Sequence, residues 1–185
     1  MLKSSRWIRE QAERNRLLEP FVASSVRAGV VSYGLGPYGY DLRLDRTYRR
    51  PRGAAAPLDP HRVDEGDFET RSEDAILIPP GQFILGRSVE YFRMPKTVLG
   101  LVFGKSTYAR CGVLVNVTPL EPEWSGYLTL SIANLGLRPA VVHAGQGIAQ
   151  VLFLESSEAP LQSYKDLRGK YDGQDEITVA RIQKE

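Results

Sequence analysis

Apolar and polar positions alternate along much of the chain. In Tyr127-Leu128-Thr129-Leu130-Ser131-Ile132-Ala133, the residues Leu128, Leu130 and Ile132 share one side of an extended segment. That side should enter a core. The opposite side, Tyr127, Thr129, Ser131 and Ala133, is small and polar, suited to the wall of a wet pocket or to an exposed sheet face. Tyr40-Asp41-Leu42-Arg43-Leu44 alternates in the same way. Strand-like runs recur at 75–78, 82–89, 98–103, 113–117, 127–132, 140–142 and 148–154, separated by Pro79-Pro80-Gly81, Pro95, Pro119 and Gly145-Gln146-Gly147. A helix is expected only at the start, capped by Ser4 or Ser5 and running to about Leu18, with Trp7, Ile8, Ala12 and Leu18 on its apolar side and Pro20 ending it. Many short strands with turns between them predict an all-β sandwich, jelly roll or barrel with an N-terminal helix.

Two stretches break the pattern. Residues 49–74 are rich in proline, charge and short side chains and read as a long surface excursion. The tail, 156–185, is polar and holds Gly169 and Gly173, but ends in the alternation Ile177, Val179, Ile182, as segments that lie over a neighbouring surface do. At 185 residues the chain is expected to form one domain, 1–185, with the helix at 1–19 and the tail closing it.

Composition narrows the function classes. Hydrophobic residues make up 42% and charged residues 25%, and the formal net charge is +2 with both signs dispersed. No clustered basic footprint for nucleic acid or a membrane surface emerges. No apolar run approaches the ~20 residues of a membrane span. The first residues carry charge where a signal peptide needs an apolar core. The single cysteine, Cys111, allows no internal disulfide and is expected in the core. A cytoplasmic protein is expected.

Candidate chemistry concentrates between Gly104 and Asn134. Gly34-Leu35-Gly36-Pro37-Tyr38-Gly39 matches G-x-G-x-x-G, but a strand pattern follows where a dinucleotide site needs a helix, so a tight loop is expected. Gly104-Lys105-Ser106 resembles the end of a P-loop without the earlier glycine, since position 99 is Leu99. What remains is two hydroxyls, consecutive backbone N–H groups, Lys105 and Arg110 within one turn: an anion receptor, or a solvated turn. His61, His143 and Cys111 have no metal-ligand spacing, and no H-x-E with C-x-x-C is present. Gln150 interrupts the apolar run 148–154 and needs either an internal partner or a ligand. Tyr164, Lys170, Tyr171 and Gln174 could cover a phosphate or stay solvated.

Together, Gly104-Lys105-Ser106-Thr107-Tyr108-Ala109-Arg110-Cys111-Gly112, Val115-Asn116-Val117-Thr118-Pro119 and Glu121-Pro122-Glu123-Trp124-Ser125-Gly126-Tyr127 resemble bacterial dCTP deaminases of the trimeric dUTPase superfamily. The likeness extends to Val31-Ser32-Tyr33-Gly34, Tyr38-Gly39-Tyr40-Asp41, Val89-Glu90-Tyr91-Phe92, Gly147-Ile148-Ala149-Gln150, Gly169-Lys170-Tyr171 and Gly173-Gln174. It implies a distorted β-barrel or jelly roll, a homotrimer with sites at subunit interfaces, and zinc-free hydrolysis of dCTP, carried with Mg²⁺ on its triphosphate, to dUTP and ammonia. It also implies roles for residues. Lys105, Ser106, Thr107, Tyr108, Ala109 and Arg110 would hold the phosphates, with Ser106 and Arg110 reaching the catalytic water. Thr129, Leu130 and Ser131 would line the pyrimidine and sugar pocket, with Glu121 near the sugar and residues 116–118 near the base. Gln150, Tyr164, Lys170 and Gln174 would close over the nucleotide.

One departure outweighs the agreements. The family's general base is a glutamate in a strand of the type T-L-E-[IF]-x-N, whereas this chain reads Thr129-Leu130-Ser131-Ile132-Ala133-Asn134. Deamination needs a group that takes a proton from the attacking water and returns protons to N3 and the departing amine. A serine hydroxyl with no adjacent base cannot do this near neutral pH. Three expectations follow: a dCTP deaminase crippled at Ser131, a non-catalytic trimer that binds dCTP or dTTP, or a dUTP pyrophosphatase using Glu121.

Overall fold

A computed structural model describes residues 1–53 and 56–182; residues 54–55 of the expected excursion and 183–185 of the tail lie outside the described residues. Helix α1 (Ser5–Asn15) opens the chain and buries Ile8 and Ala12. Its Trp7 packs on Phe153, ring centroids 6.1 Å apart. The strands are β1 (Leu18–Glu19), β2 (Gly34–Leu35), β3 (Tyr40–Pro51), β4 (Phe68–Ser72), β5 (Ala75–Ile78), β6 (Phe83–Arg93) and β7 (Val98–Gly104). A single helical turn, α2 (Ser106–Ala109), precedes β8 (Val113–Asn116), β9 (Ser125–Asn134), β10 (Ala140–His143) and β11 (Gly147–Glu155).

The main sheet is antiparallel in the order β7-β11-β3-β6-β9-β8, with β1 beside β6 and β2 and β4 beside β3; β10 and β5 form a separate pair. The sheet curls until its ends nearly meet. Gly100 of β7 and Leu120, just beyond β8, exchange backbone hydrogen bonds of 2.9 and 2.8 Å. The result is a nearly closed barrel-like fold whose interior is filled by Leu42, Leu44, Ile84, Phe92, Leu130, Ile132, Val151 and Phe153. A sheet that closes on itself leaves little free edge.

Burial alternates strictly along β6 and β9, which fixes which side chains can face solvent. Their ladder is interrupted between Arg87 and Tyr91, where four residues of β6 span two of β9. Ser88 repairs the gap: its hydroxyl accepts from Leu128 N at 2.8 Å and donates to Glu90 O at 2.7 Å. Asn134 ends β9 with its amide satisfied, donating to Ile78 O and Arg138 O and accepting from Gly136 N. Glu90 is fully buried. It accepts from Arg43 Nε at 2.8 Å and from Arg43 N at 2.9 Å, joining β6 to β3. Burial pushes its carboxyl above the usual range, and Arg43 opposes that shift.

Four local expectations need correction. The opening helix, expected to run to about Leu18 and to end at Pro20, stops at Asn15. Arg16 takes a left-handed backbone (φ 55°), Leu18–Glu19 leave as β1 beside β6, and Ser4 precedes the helix without a side-chain capping hydrogen bond. The strand at 40–44 continues to Pro51, and residues 68–72 return as β4 beside it, so the excursion shrinks to the segment between them. The arginines that made this stretch look like a loop are tied down at the side chain: Arg49 pairs with Glu65, and Arg50 donates to Leu77 O at 2.7 Å. A short α-helical turn, α2, lies where the sequence suggested only a turn. Cys111 is exposed, not in the core, because it follows α2 on the outside of the barrel. The Gly34–Gly39 segment is the tight connection expected, with Gly36 N donating to Gly39 O at 3.1 Å between β2 and β3. No helix among the described residues is long and apolar enough to cross a membrane.

Candidate active site

Two outward side chains of β9 do not face open solvent. Thr129 and Ser131 line a cavity of about 700 Å³ together with Leu85 of β6, Asn116 of β8, residues 117–121 and the tail. Ser131 sits between Leu85 and Asn116, its partners on the two flanking strands. The single carboxylate among the residues lining the cavity is Glu121. Leu130 points the other way and is fully buried in the core, as the parity of the strand requires.

The tail forms the far wall. Gln174 N–H groups reach Tyr127 O at 2.8 Å and Thr129 Oγ1 at 2.5 Å, and its carbonyl accepts from Thr178 Oγ1 at 2.7 Å. Thr178 N also donates to Thr129 Oγ1, at 3.2 Å. Trp124 Nε1 donates to Tyr171 O at 2.6 Å, and Tyr171 N donates to Tyr164 OH at 3.1 Å. Burial raises the Tyr164 phenol above its ordinary value, and the charges of Asp172 and Glu121 add to the shift. Lys170 Nζ donates to Arg181 O at 2.6 Å and lies over the Tyr171 ring. Ile177 and Val179 are buried, whereas Ile182 is exposed.

Docking of the tail depends on Gly126, whose φ of +148° lies where side chains are rarely found. A Cβ there would meet the backbone of Gln174 and the ring of Trp124 at 2.9 Å. Gly126→Ala is therefore expected to lift the tail from the start of β9 and to cost about 1–3 kcal/mol. Faster hydrogen exchange at 171–179, with a lowered urea midpoint, is the expected readout; an unchanged exchange pattern would contradict it.

The other expected residues lie elsewhere on the chain. Ser106, Thr107, Ala109 and Arg110 are exposed on α2 and the residue after it, and none of them lines the cavity. Arg110 Nη1 donates back to Ser106 O at 3.0 Å, folding its guanidinium over the turn. Tyr108 is buried, and its hydroxyl accepts from His143 N at 3.0 Å, so it anchors the turn to β10. Lys105 points into the chain, its ammonium held by Asp41 and Ser32. Gln150 is half-buried on β11, between Asp41 of β3 and Phe103 of β7.

One chain thus carries two partial constellations: a cavity with Thr129, Ser131, Glu121, Tyr164, Lys170 and Gln174, and a separate outward turn with Ser106, Thr107 and Arg110. Exposed apolar side chains flank both, including Phe103 on β7, Leu114 on β8 and Leu137 after β9. Leu114 shares the outward parity of Asn116, so this apolar surface continues the cavity wall.

The sequence did not single out Leu85 or Thr178 as cavity residues. Parity offered a signal for Leu85, which lies on the outward face of β6, and the closing alternation of the tail offered one for Thr178. Among the described residues, no group of three or more histidine, cysteine, aspartate or glutamate side chains could hold a metal ion.

The family model "dCTP deaminase-like" matches residues 2–156. A dCTP deaminase of Roseiflexus castenholzii is 50% identical over 182 residues, covering 98% of this chain and 99% of the relative. The dCTP deaminase of Acidobacterium capsulatum is 48% identical with the same coverage. That of Burkholderia cenocepacia is 48% identical over 186 residues, covering 97% of this chain and 98% of the relative. Among solved structures, the 2'-deoxycytidine 5'-triphosphate deaminase of Agrobacterium tumefaciens superposes with a TM-score of 0.63 at 17% identity over 90% of this chain. The matched region spans 51%, about half, of that solved chain, and the likeness concerns the fold alone.

Proposed function

The chain belongs to the dCTP deaminase-like family, and we propose that it binds dCTP and hydrolyses it slowly, because Ser131 stands where the reaction needs a carboxylate. The cavity beside Ser131 carries this reading. It is roomy enough for a pyrimidine and sugar, it has polar walls at Asn116, Thr118, Thr129 and Ser131, and it is covered by tail residues with phosphate-binding chemistry. Its one lining carboxylate, Glu121, is exposed at the mouth and is assigned to the sugar.

In this reading the cytosine lies against the outward face of β9. Water attacks C4 and forms a tetrahedral centre; a proton passes to N3 and another to the amine, which leaves as ammonia. Ser131 can orient the water by hydrogen bonding, but its hydroxyl does not hold a proton shuttled from that water. Lys170, Tyr164 and Gln174 cover the phosphates. Mg²⁺ enters with the triphosphate as part of the substrate. Zinc has no role in this scheme.

The anion-binding turn is separate from the cavity, and this supports a homotrimer in which the turn of one copy meets the cavity of the next. Ser106 and Thr107 hydroxyls, backbone N–H groups of α2 and Arg110 then complete each site. The apolar surface around Phe103 and Leu114 supports the same assembly. A cytoplasmic location suits the nucleotide substrate and the single, exposed thiol.

Arg110→Ala tests the assignment. Losing a charge-assisted hydrogen bond is expected to weaken dCTP binding by about 1.5–3 kcal/mol, or about 10–150-fold in Kd by calorimetry. An unchanged Kd would remove the turn from the site. A dUTP pyrophosphatase reading rests on Glu121 at the cavity mouth; pyrophosphate release from dUTP would favour it, and its absence would remove it.

A further inference from the structure

Lys105 does not face the solvent that Ser106, Thr107 and Arg110 face. Its side chain runs back across the start of β11 and donates to Asp41 Oδ2 of β3 at 2.5 Å and to Ser32 Oγ at 2.9 Å. The two charged side chains are only 12% and 13% exposed. Gly147 leaves room for this path: a Cβ there would lie 3.2 Å from Lys105 Cδ and 1.9 Å from Ser32 O. The next residue of the same loop, Tyr33, is held by Arg43, whose guanidinium carbon sits 5.2 Å from the ring centroid. Lys105 itself is the N-cap of α2, and its carbonyl accepts from Ala109 N at 3.0 Å.

We propose that Lys105 is a positioning residue and not a phosphate ligand: its ion pair with Asp41 holds the 104–110 turn in the shape that presents Ser106, Thr107 and Arg110 to a triphosphate. A lysine paired this closely with a carboxylate offers a phosphate almost no net charge. Swinging it outward would leave Asp41 buried and uncompensated. The phosphate-binding cation of the turn is then Arg110 alone. The nucleotide part of this proposal rests on the reading that the turn meets the triphosphate; the clamping of the turn does not.

Asp41→Asn separates the two roles because they predict opposite signs. If Lys105 were a phosphate ligand, removing its carboxylate partner would free the ammonium and tighten dCTP binding. As a clamp, Asp41→Asn and Lys105→Met are expected to weaken dCTP binding by the same factor, about tenfold. The double variant is expected to be no worse than either single one, as for two members of one interaction. Lys105→Arg restores most of the loss. Binding of deoxycytidine, which has no phosphate, is unchanged in all of them, which a general loss of structure would not allow.

Without any nucleotide, amides 106–112 are expected to exchange hydrogen faster in both single variants. Ser32→Ala, which removes only one hydroxyl contact, is expected to give about a twofold loss of dCTP affinity and covers the case in which Asp41→Asn does not fold. Tighter or unchanged dCTP binding in Asp41→Asn, or losses that simply add in the double variant, would overturn the proposal. So would exchange at 106–112 that matches the unaltered chain. If the unaltered chain bound no dCTP while the exchange results came out as expected, the clamp would stand and the nucleotide reading would fall.

Discussion

Ser131→Glu is expected to raise the rate of ammonia release from dCTP by about 10²–10⁴-fold, the usual contribution of a positioned general base. The residue already faces the cavity, and the walls on either side, Leu85 and Asn116, leave room for a longer side chain. A carboxylate there would be half-buried. Partial desolvation moves its pKa upward, toward the range in which a group can both accept and return protons near neutrality. The gain should lie in kcat more than in KM, because the proton transfers belong to the transition state. A folded glutamate variant that binds dCTP and still releases no ammonia would mean that this chain is a nucleotide-binding protein and not a disabled enzyme.

Glu90→Ala is expected to destabilise the fold by about 3–5 kcal/mol, the cost of leaving a buried charge without its partner. Arg43 would keep its largely buried guanidinium with Nε and its own backbone N–H both unsatisfied, and its Nη2 is already buried without a hydrogen bond. For a chain of this length the loss corresponds to a fall in Tm of about 6–20 °C. Replacing the pair together, Arg43→Met with Glu90→Leu, is expected to recover much of that loss, because the penalty comes from the orphaned charge. A single variant that melts with the unaltered chain would contradict the role given to this pair.

The fold was legible wherever burial is one-sided. Strands β5, β6, β8, β9 and β10 bury alternate side chains, and the parity of β9 put Ser131 and Thr129 on a face separate from Leu128 and Leu130; β7 and β11 were marked instead by short apolar runs between turn residues. It failed where the backbone ladder, and not the side-chain pattern, makes the strand. The second half of β3 carries Arg49 and Arg50, and β4 carries Glu69 and Arg71, so both looked like loop. Their charges are answered locally, by Glu65 for Arg49 and by Glu69 for Arg71. Cys111 was misread because its apolar neighbours belong to β8, while the residue itself sits on the outside of the turn.

The site was legible in kind but not in arrangement. Chemistry-bearing residues cluster in sequence between 104 and 134, yet α2 and β9 face different parts of the surface. Only the folded chain shows that Ser106 and Arg110 stand apart from the cavity of Ser131. Lys105 illustrates the limit most clearly. Its place beside two hydroxyls suggests an anion ligand, while its partner Asp41 lies 64 residues earlier and cannot be found by spacing.

The measurement that bears most directly on this account is a titration of dCTP with Mg²⁺ onto the unaltered chain, with heat and ammonia followed in the same sample. Saturable binding of one nucleotide per chain, accompanied by little or no ammonia, is the expected result. No saturable heat, or ammonia released at a rate that Ser131→Glu does not increase, would contradict it.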